Sequence, residues 1–221
     1  MAGFEFKITS PKWARQPYDG KIIHSAILHQ TYYTIQMKKC NLALIGARGA
    51  GKSKLSRKLS KALGRPSFST DEIITYEAGG VTIENLVAKR GGWPAFRDRE
   101  FVVLENICRM KKVIVDCGGG ILVEAPISGK DFETFSERKK RCLEESCLTV
   151  YLRRPEEVLL AKMNPDCNRP DLGKDYQELL QRRLPWYESC ADLIIDLKDL
   201  NAKHALDQIM EALPDSIKAI E

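Results

Sequence analysis

The sequence predicts an α/β fold of three layers, a five-stranded parallel sheet flanked by helices. Three observations carry that expectation. From Asn41 onward, short apolar runs alternate with amphipathic stretches, the pattern of strands joined by helical crossovers. The first apolar run opens into a glycine-rich turn and then a helical pattern. A chain of 221 residues, 43% hydrophobic and 29% charged, suits one folded domain of ordinary size, with room for an appendage.

Taken in order, Asn41–Ile45 reads as a buried strand. Lys52–Leu63 reads as a helix, with Leu55, Leu59, Ala62 and Leu63 on one face and Lys54, Arg57, Lys58 and Lys61 on the other. Gly64 stops it. Pro66–Thr70 is a short second strand. Helices are expected over Thr82–Lys89 and Pro94–Met110, where Pro94 suits a first helical turn. Val113–Val115, Leu148–Leu152 and Leu193–Leu197 supply the other strands, and Pro155–Met163, Asp175–Glu188 and Ala202–Leu213 the other helices. Asp131–Glu145 reads as an exposed helix. Residues 1–39 do not join the alternation, although Phe4–Ile8 resembles an edge strand. The chain therefore divides into an extension, 1–39, and a body, 40–221.

Composition excludes several classes. The net charge of +5 is spread along the chain, and no basic run carries interleaved aromatics, so nucleic-acid binding is not expected. Seven cysteines without any C-x-x-C argue against a disulfide framework or a zinc site and for a reducing compartment. The longest uncharged stretch, Ile22–Met37, is studded with polar residues and falls short of a membrane helix. No signal peptide is visible, because Glu5 and Asp19 interrupt the N-terminus. A cytoplasmic monomer is expected.

The strongest motif spans Gly46, Ala47, Arg48, Gly49, Ala50, Gly51, Lys52 and Ser53, a match to G-x-x-x-x-G-K-[ST]. Such a loop, between an apolar strand and an amphipathic helix, wraps backbone amides around phosphate oxygens at a helix N-terminus. Lys52 would reach the β- and γ-phosphates, and the Ser53 hydroxyl would ligate Mg²⁺. ATP is the expected nucleotide, since no N-K-x-D stretch for guanine recognition appears. Asp71 follows strand two, where a side chain projects over the carboxyl edge of the sheet. Arg97 and Glu100 lie three apart in a helix that also carries Trp93 and Phe96. Gly118, Gly119 and Gly120 follow strand three. Arg169 and Pro170 sit in a broken stretch, long enough for a mobile lid. By pattern alone, Arg97 with Glu100 could be a solvated helix pair and Arg183 beside Arg182 a solvated face.

These residues, in this order after such a loop, resemble the shikimate kinase family from about Lys39 to the end. The motifs that carry the resemblance are Ser69-Thr70-Asp71, Phe96-Arg97-Asp98-Arg99-Glu100, Gly118–Gly120, Arg169-Pro170 and Arg183-Leu184-Pro185-Trp186-Tyr187. The resemblance implies a P-loop kinase fold with a mobile lid, ATP and Mg²⁺ as cofactors, and shikimate as the small-molecule substrate. It implies that Arg97 and Arg183 clamp the substrate carboxylate, with Glu100 fixing Arg97. Asp71 would orient or deprotonate the attacking hydroxyl, the Gly118–Gly120 backbone would contact the ring, and Arg169 would neutralise the transferring phosphoryl group. Lys162 falls where the family often has a second lid arginine.

Several positions depart from the family. The turn after strand two normally offers two aspartates, the first supporting Mg²⁺ through its water shell, and here the first is Ser69. Asp116 ends strand three, a Walker B arrangement, and is expected to stand in for it. Asp116 could instead cap a turn or pair with a basic neighbour. The lid motif reads Arg169-Pro170-Asp171-Leu172, with a charge at an apolar position, and the segment 121–147 is longer and more charged than usual. Two other readings stand beside the first. One is a kinase for another hydroxylated acid, such as gluconate, or for a nucleotide. The other is a catalytically weak or silent ATP-binding module. A plastid location would follow if the extension were a targeting remnant.

Overall fold

A computed structural model describes residues 39–89, 91–126, 133–161, 176–198 and 201–218. The expected strand at Phe4–Ile8, with all of residues 1–38, lies outside that range. Five parallel strands form the main sheet: β1 (Asn41–Ile45), β2 (Ser67–Ser69), β3 (Ile114–Asp116), β6 (Cys147–Arg153) and β7 (Leu193–Asp196). Their order is β2-β3-β1-β6-β7. The first crossovers step from β1 outward past β3 to β2, and the later ones return to the other side of β1, so β1 sits at the centre. Every residue of β1 is fully buried, as a central strand covered on both faces must be. Its one polar residue, Asn41, is satisfied: the side-chain amide donates to the Met110 carbonyl at 2.8 Å and its oxygen accepts from Val113 N–H at 3.2 Å. That pair holds the connection that feeds β3 into the sheet.

Helices cover both faces: α1 (Lys52–Leu63), α2 (Thr70–Glu77), α3 (Ile83–Lys89), α4 (Gly92–Cys108), α5 (Glu137–Ser146), α6 (Glu156–Ala161), α7 (Tyr176–Cys190), α8 (Ala202–Ala212) and α9 (Asp215–Lys218). In α1, Leu55, Leu59 and Leu63 are buried, the face that the 3.6-residue period marks. Gly64 closes α1 in the left-handed region, φ 62°. The strands at Asn41–Ile45, 148–152 and 193–196 and the helix at Lys52–Leu63 lie where the apolar periods put them.

Three local expectations need correction. The second strand stops at Ser69, because Ser69-Thr70-Asp71-Glu72 opens a helix instead. The Ser69 hydroxyl accepts from Glu72 N–H at 3.3 Å, and acidic Asp71 and Glu72 occupy the positive end of the helix dipole. The helix expected over Pro94–Met110 runs from Gly92 to Cys108, because Gly91 takes a left-handed N-cap at φ 82° and lets it begin early; Pro94, its third residue, stays in the first turn. The expected exposed helix over Asp131–Glu145 is a short strand followed by a partly buried helix. Strand β5 (Thr134–Phe135) pairs antiparallel with β4 (Val123–Glu124), and α5 begins only at Glu137, capped by Ser136. Leu143 and Lys139, four apart, both point inward.

Ser69 thus has a structural duty of its own. Ser69→Ala removes the α2 cap and is expected to cost about 1 kcal/mol, whereas Ser69→Asn keeps a capping oxygen without adding a charge beside Asp116 and should match the wild type. Urea unfolding of the two variants measures the difference.

Candidate active site

The carboxyl ends of β1, β2 and β3 meet at one edge of the sheet, and the loops leaving them build the site. After β1, the chain turns through Gly46 at φ 141° and Gly51 at φ 102°. A Cβ on Gly46 would fall 2.9 Å from the Leu152 carbonyl oxygen, so only glycine fits against β6 there. Gly51 is the N-cap of α1, followed by the buried Lys52 and the exposed Ser53. The Lys52 ammonium donates to the Gly46 and Ala47 carbonyls at 2.9 and 3.0 Å. Those bonds hold the lysine over its own loop, where it can swing onto phosphate oxygens. Ala50 N–H donates to the Ala47 carbonyl, closing a tight turn around Arg48 and Gly49. This is a strand, a glycine loop and the N-terminus of a helix, the geometry that binds polyphosphate.

After β3 comes the turn Gly118–Gly120, against which three other parts of the site are packed. Gly118 N–H donates to the buried Thr70 hydroxyl at 2.8 Å, and a Cβ on Gly118 would run into the Asp71 carboxylate. A Cβ on Gly119 would sit 3.1 Å from the Arg48 amide nitrogen. One on Gly120 would run into the Arg97 guanidinium, whose NH1 donates to the Gly120 carbonyl at 3.2 Å. The Tyr187 hydroxyl donates to the Gly119 carbonyl. The turn therefore lies between the phosphate loop, Asp71 and Arg97.

Arg97 and Glu100 are not a solvated helix pair. Both face inward from α4, at 5% and 1% exposure, with Arg97 NH1 donating to Glu100 Oε2 at 3.0 Å. The guanidinium carbon lies 4.9 Å from the Trp93 ring centre, a cation–π contact that fixes the head further. Arg183, at 7% exposure, is no solvated face either. Its Nε and NH2 donate to Glu133 at 2.7 and 2.5 Å. Burial, the largest single effect, opposes the Arg183 charge, but the Glu133 hydrogen bonds together with the surrounding negative groups, Glu133 and Glu100 among them, raise its pKa above the ordinary value. Burial also pushes the Tyr187 phenol up, so it stays a donor.

Asp116 ends β3 at 6% exposure. In the parallel register it lies beside Ser69 on one side and Leu44 on the other. Its carboxylate makes no hydrogen bond or ion pair among the described residues, so it neither caps a turn nor pairs with a basic neighbour there. Its oxygens are not among the fully buried polar atoms left without a partner, so they keep some access from outside the sheet. A carboxylate and a hydroxyl are oxygen donors of the kind Mg²⁺ takes, so Asp116 and Ser53 are chemically suited to hold it. Lys162 and Arg169, the expected lid cations, lie outside the described residues.

Three side chains at the site carry no motif. Arg154 follows β6, and its Nε donates to the Ala50 carbonyl at 3.0 Å, beside the phosphate loop; its place after an apolar strand is the available signal. Glu133 and Lys139 sit in the charged segment after the glycine turn. For Lys139 the signal is its spacing of four from Leu143, while nothing in the sequence marks Glu133.

The fold and site define a P-loop phosphotransferase. A family model described as shikimate kinase matches residues 48–214. A shikimate kinase from Leptospira biflexa serovar Patoc is 42% identical over 182 residues, covering 81% of this chain and 99% of the relative. One from Dehalococcoides mccartyi is 34% identical, covering 79% and 94%. Among solved structures, shikimate kinase from Acinetobacter baumannii in complex with shikimate superimposes with a TM-score of 0.67 at 27% identity, covering 80% of this chain and 94% of that one. The chain belongs to the shikimate kinase family, ATP-dependent kinases that act on a hydroxyl group.

The glycine turn gives a direct test. Gly118→Ala must displace the Asp71 carboxylate, and a displacement of that kind is expected to lower kcat by about 100-fold. Asp71 lies in the first turn of α2 and is only half-buried, so thermal unfolding should stay near the wild-type midpoint.

Proposed function

We propose that these residues carry the family's reaction, transfer of the γ-phosphoryl group of ATP to the 3-hydroxyl of shikimate, and that they divide it as follows. The observation that carries this reading is the buried Arg97 held on the same glycine turn that Asp71 packs against, with the buried Arg183 one helical turn before Tyr187, whose hydroxyl bonds to that turn. A carboxylate needs a fork of cationic donors, and a ring hydroxyl a short distance away needs an acceptor. Arg97 and Arg183 take the carboxylate. Asp71 accepts the proton of the attacking hydroxyl, whose oxygen bonds to the γ-phosphorus as ADP leaves. The backbone of Gly118, Gly119 and Gly120 borders the ring. The loop from Gly46 to Ser53 cradles the phosphates, and Lys52 follows the charge onto the transferring group. Arg169 and Lys162 take their roles from the sequence motif alone.

Ser53 and Asp116 would hold Mg²⁺, which, when bound, neutralises β- and γ-phosphate oxygens. Asp116 supplies this from β3, one strand over from the position where Ser69 lacks a carboxylate. The setting we propose is the cytoplasm, in the pathway to chorismate and the aromatic amino acids. Its support is that the described cysteines are all free and that no helix among the described residues is long and apolar enough to cross a membrane.

Rates with shikimate, ATP and Mg²⁺, in an assay coupled to ADP release, test the reading. Turnover of shikimate and none of gluconate is expected. Folded protein that binds ATP and turns over neither compound would make it a binding module instead. In the same assay, Asp116→Asn should raise the Mg²⁺ concentration for half-maximal rate by about tenfold, the loss of one charged ligand. An unchanged Mg²⁺ requirement would remove Asp116 from the metal site.

A further inference from the structure

Arg97 and Arg183 bring two positive charges to one substrate carboxylate, yet each already faces a carboxylate of the protein. Glu100 holds Arg97 at 3.0 Å, and Glu133 holds Arg183 through two nitrogens. These four groups have no net charge, and such a pocket has little long-range pull on an anion. A fifth ionisable group sits behind them. Lys139, on α5, is fully buried. Its ammonium donates to Glu100 Oε2 at 2.8 Å and to the Val123 carbonyl at 2.7 Å. Arg97 and Lys139 therefore share one oxygen of one carboxylate.

A buried lysine is a costly way to fill space, since an apolar side chain of similar length would pack there without desolvating a charge. Burial does pull the Lys139 pKa below the ordinary lysine value, with the charge of Glu100 opposing. The neighbouring acid, Glu124, is engaged by Arg138 at 2.7 Å and does not replace Glu100 as the partner of Lys139. The groups form one electrostatic unit: the charge of Glu100 reaches Arg183 as well as Arg97 and Lys139.

We infer that Lys139 is a positioning residue for the carboxylate site: it fixes the Glu100 carboxylate that aims Arg97, and it leaves these five groups with one net positive charge although Glu133 neutralises Arg183. This rests on the reading that Arg97 and Arg183 bind the substrate carboxylate. It also gives the charged segment after the glycine turn a purpose. Strand β5 delivers Glu133 to Arg183, and α5 delivers the lysine that offsets it.

The test is a steady-state comparison of wild type, Lys139→Met, Lys139→Gln, and each of these combined with Glu133→Gln. Lys139→Met is expected to raise KM for shikimate by about tenfold, with kcat and KM for ATP within twofold of wild type. Adding Glu133→Gln restores the net charge from a residue that Lys139 does not touch, and should recover most of that KM. Lys139→Gln keeps a donor but not the charge, and gives the same readout should the methionine variant not fold. KM for shikimate unchanged in both single variants overturns the inference. So does a fall in kcat and in ATP affinity together, or insolubility of both, without rescue by Glu133→Gln, since each describes a residue that only supports the fold. Arg97→Lys, measured alongside, separates the two claims. If it leaves KM for shikimate unchanged, the carboxylate reading falls and this inference with it; if it raises KM while Lys139→Met does not, only this inference falls.

Discussion

The site depends on a turn without side chains. Gly118, Gly119 and Gly120 leave the end of β3 so closely packed that a Cβ on each would meet Asp71, the Arg48 backbone and Arg97 in succession. Phosphoryl transfer requires a hydroxyl acceptor, a polyphosphate cradle and a carboxylate clamp within one small volume. Three elements distant in sequence reach that volume only because the fourth gives way to them. The hydrogen bonds from Gly118 to Thr70 and from Tyr187 to Gly119 then tie the turn to α2 and α7, so its position is fixed from both sides.

Charge is arranged in the same economical way. Each cation assigned to a substrate carboxylate is oriented by an acid, the buried Glu100 or the partly buried Glu133, which restricts the guanidinium to one pose. The neutralisation this brings is a real cost for anion binding. Lys139 offsets it without entering the pocket. Asp116 is the opposite case, a carboxylate without a hydrogen bond or ion pair among the described residues, and on our proposal a divalent cation completes it. On that proposal the departures at Ser69 and Asp116 are one rearrangement, and the β2–β3 register, which sets these residues side by side, supports it.

Much of this was legible in the sequence because it rests on local rules. The strand at Asn41–Ile45, the glycine loop and the helix at Lys52–Leu63 follow from period and motif, and Arg97 with Glu100 follows from a spacing of three on one helix face. Helix α2 was legible too, in the capping pattern from Ser69 to Glu72, but the short Pro66–Thr70 stretch between two helical patterns favours extending the strand. What could not be read is pairing across long separations. Arg183 meets Glu133 fifty residues away, and Lys139 meets Glu100 thirty-nine away. A run such as Lys139-Lys140-Arg141 looks solvated until α5 is docked and one of the three turns inward.

The central claim is that buried arginines recognise the substrate by its negative charge. The most direct measurement compares kcat/KM for shikimate with that for its methyl ester, which keeps the ring and all three hydroxyls and loses only the charge. Loss of two charge-assisted pairs predicts a fall of about 100-fold or more for the ester, carried by KM. Equal kcat/KM for acid and ester would contradict the account.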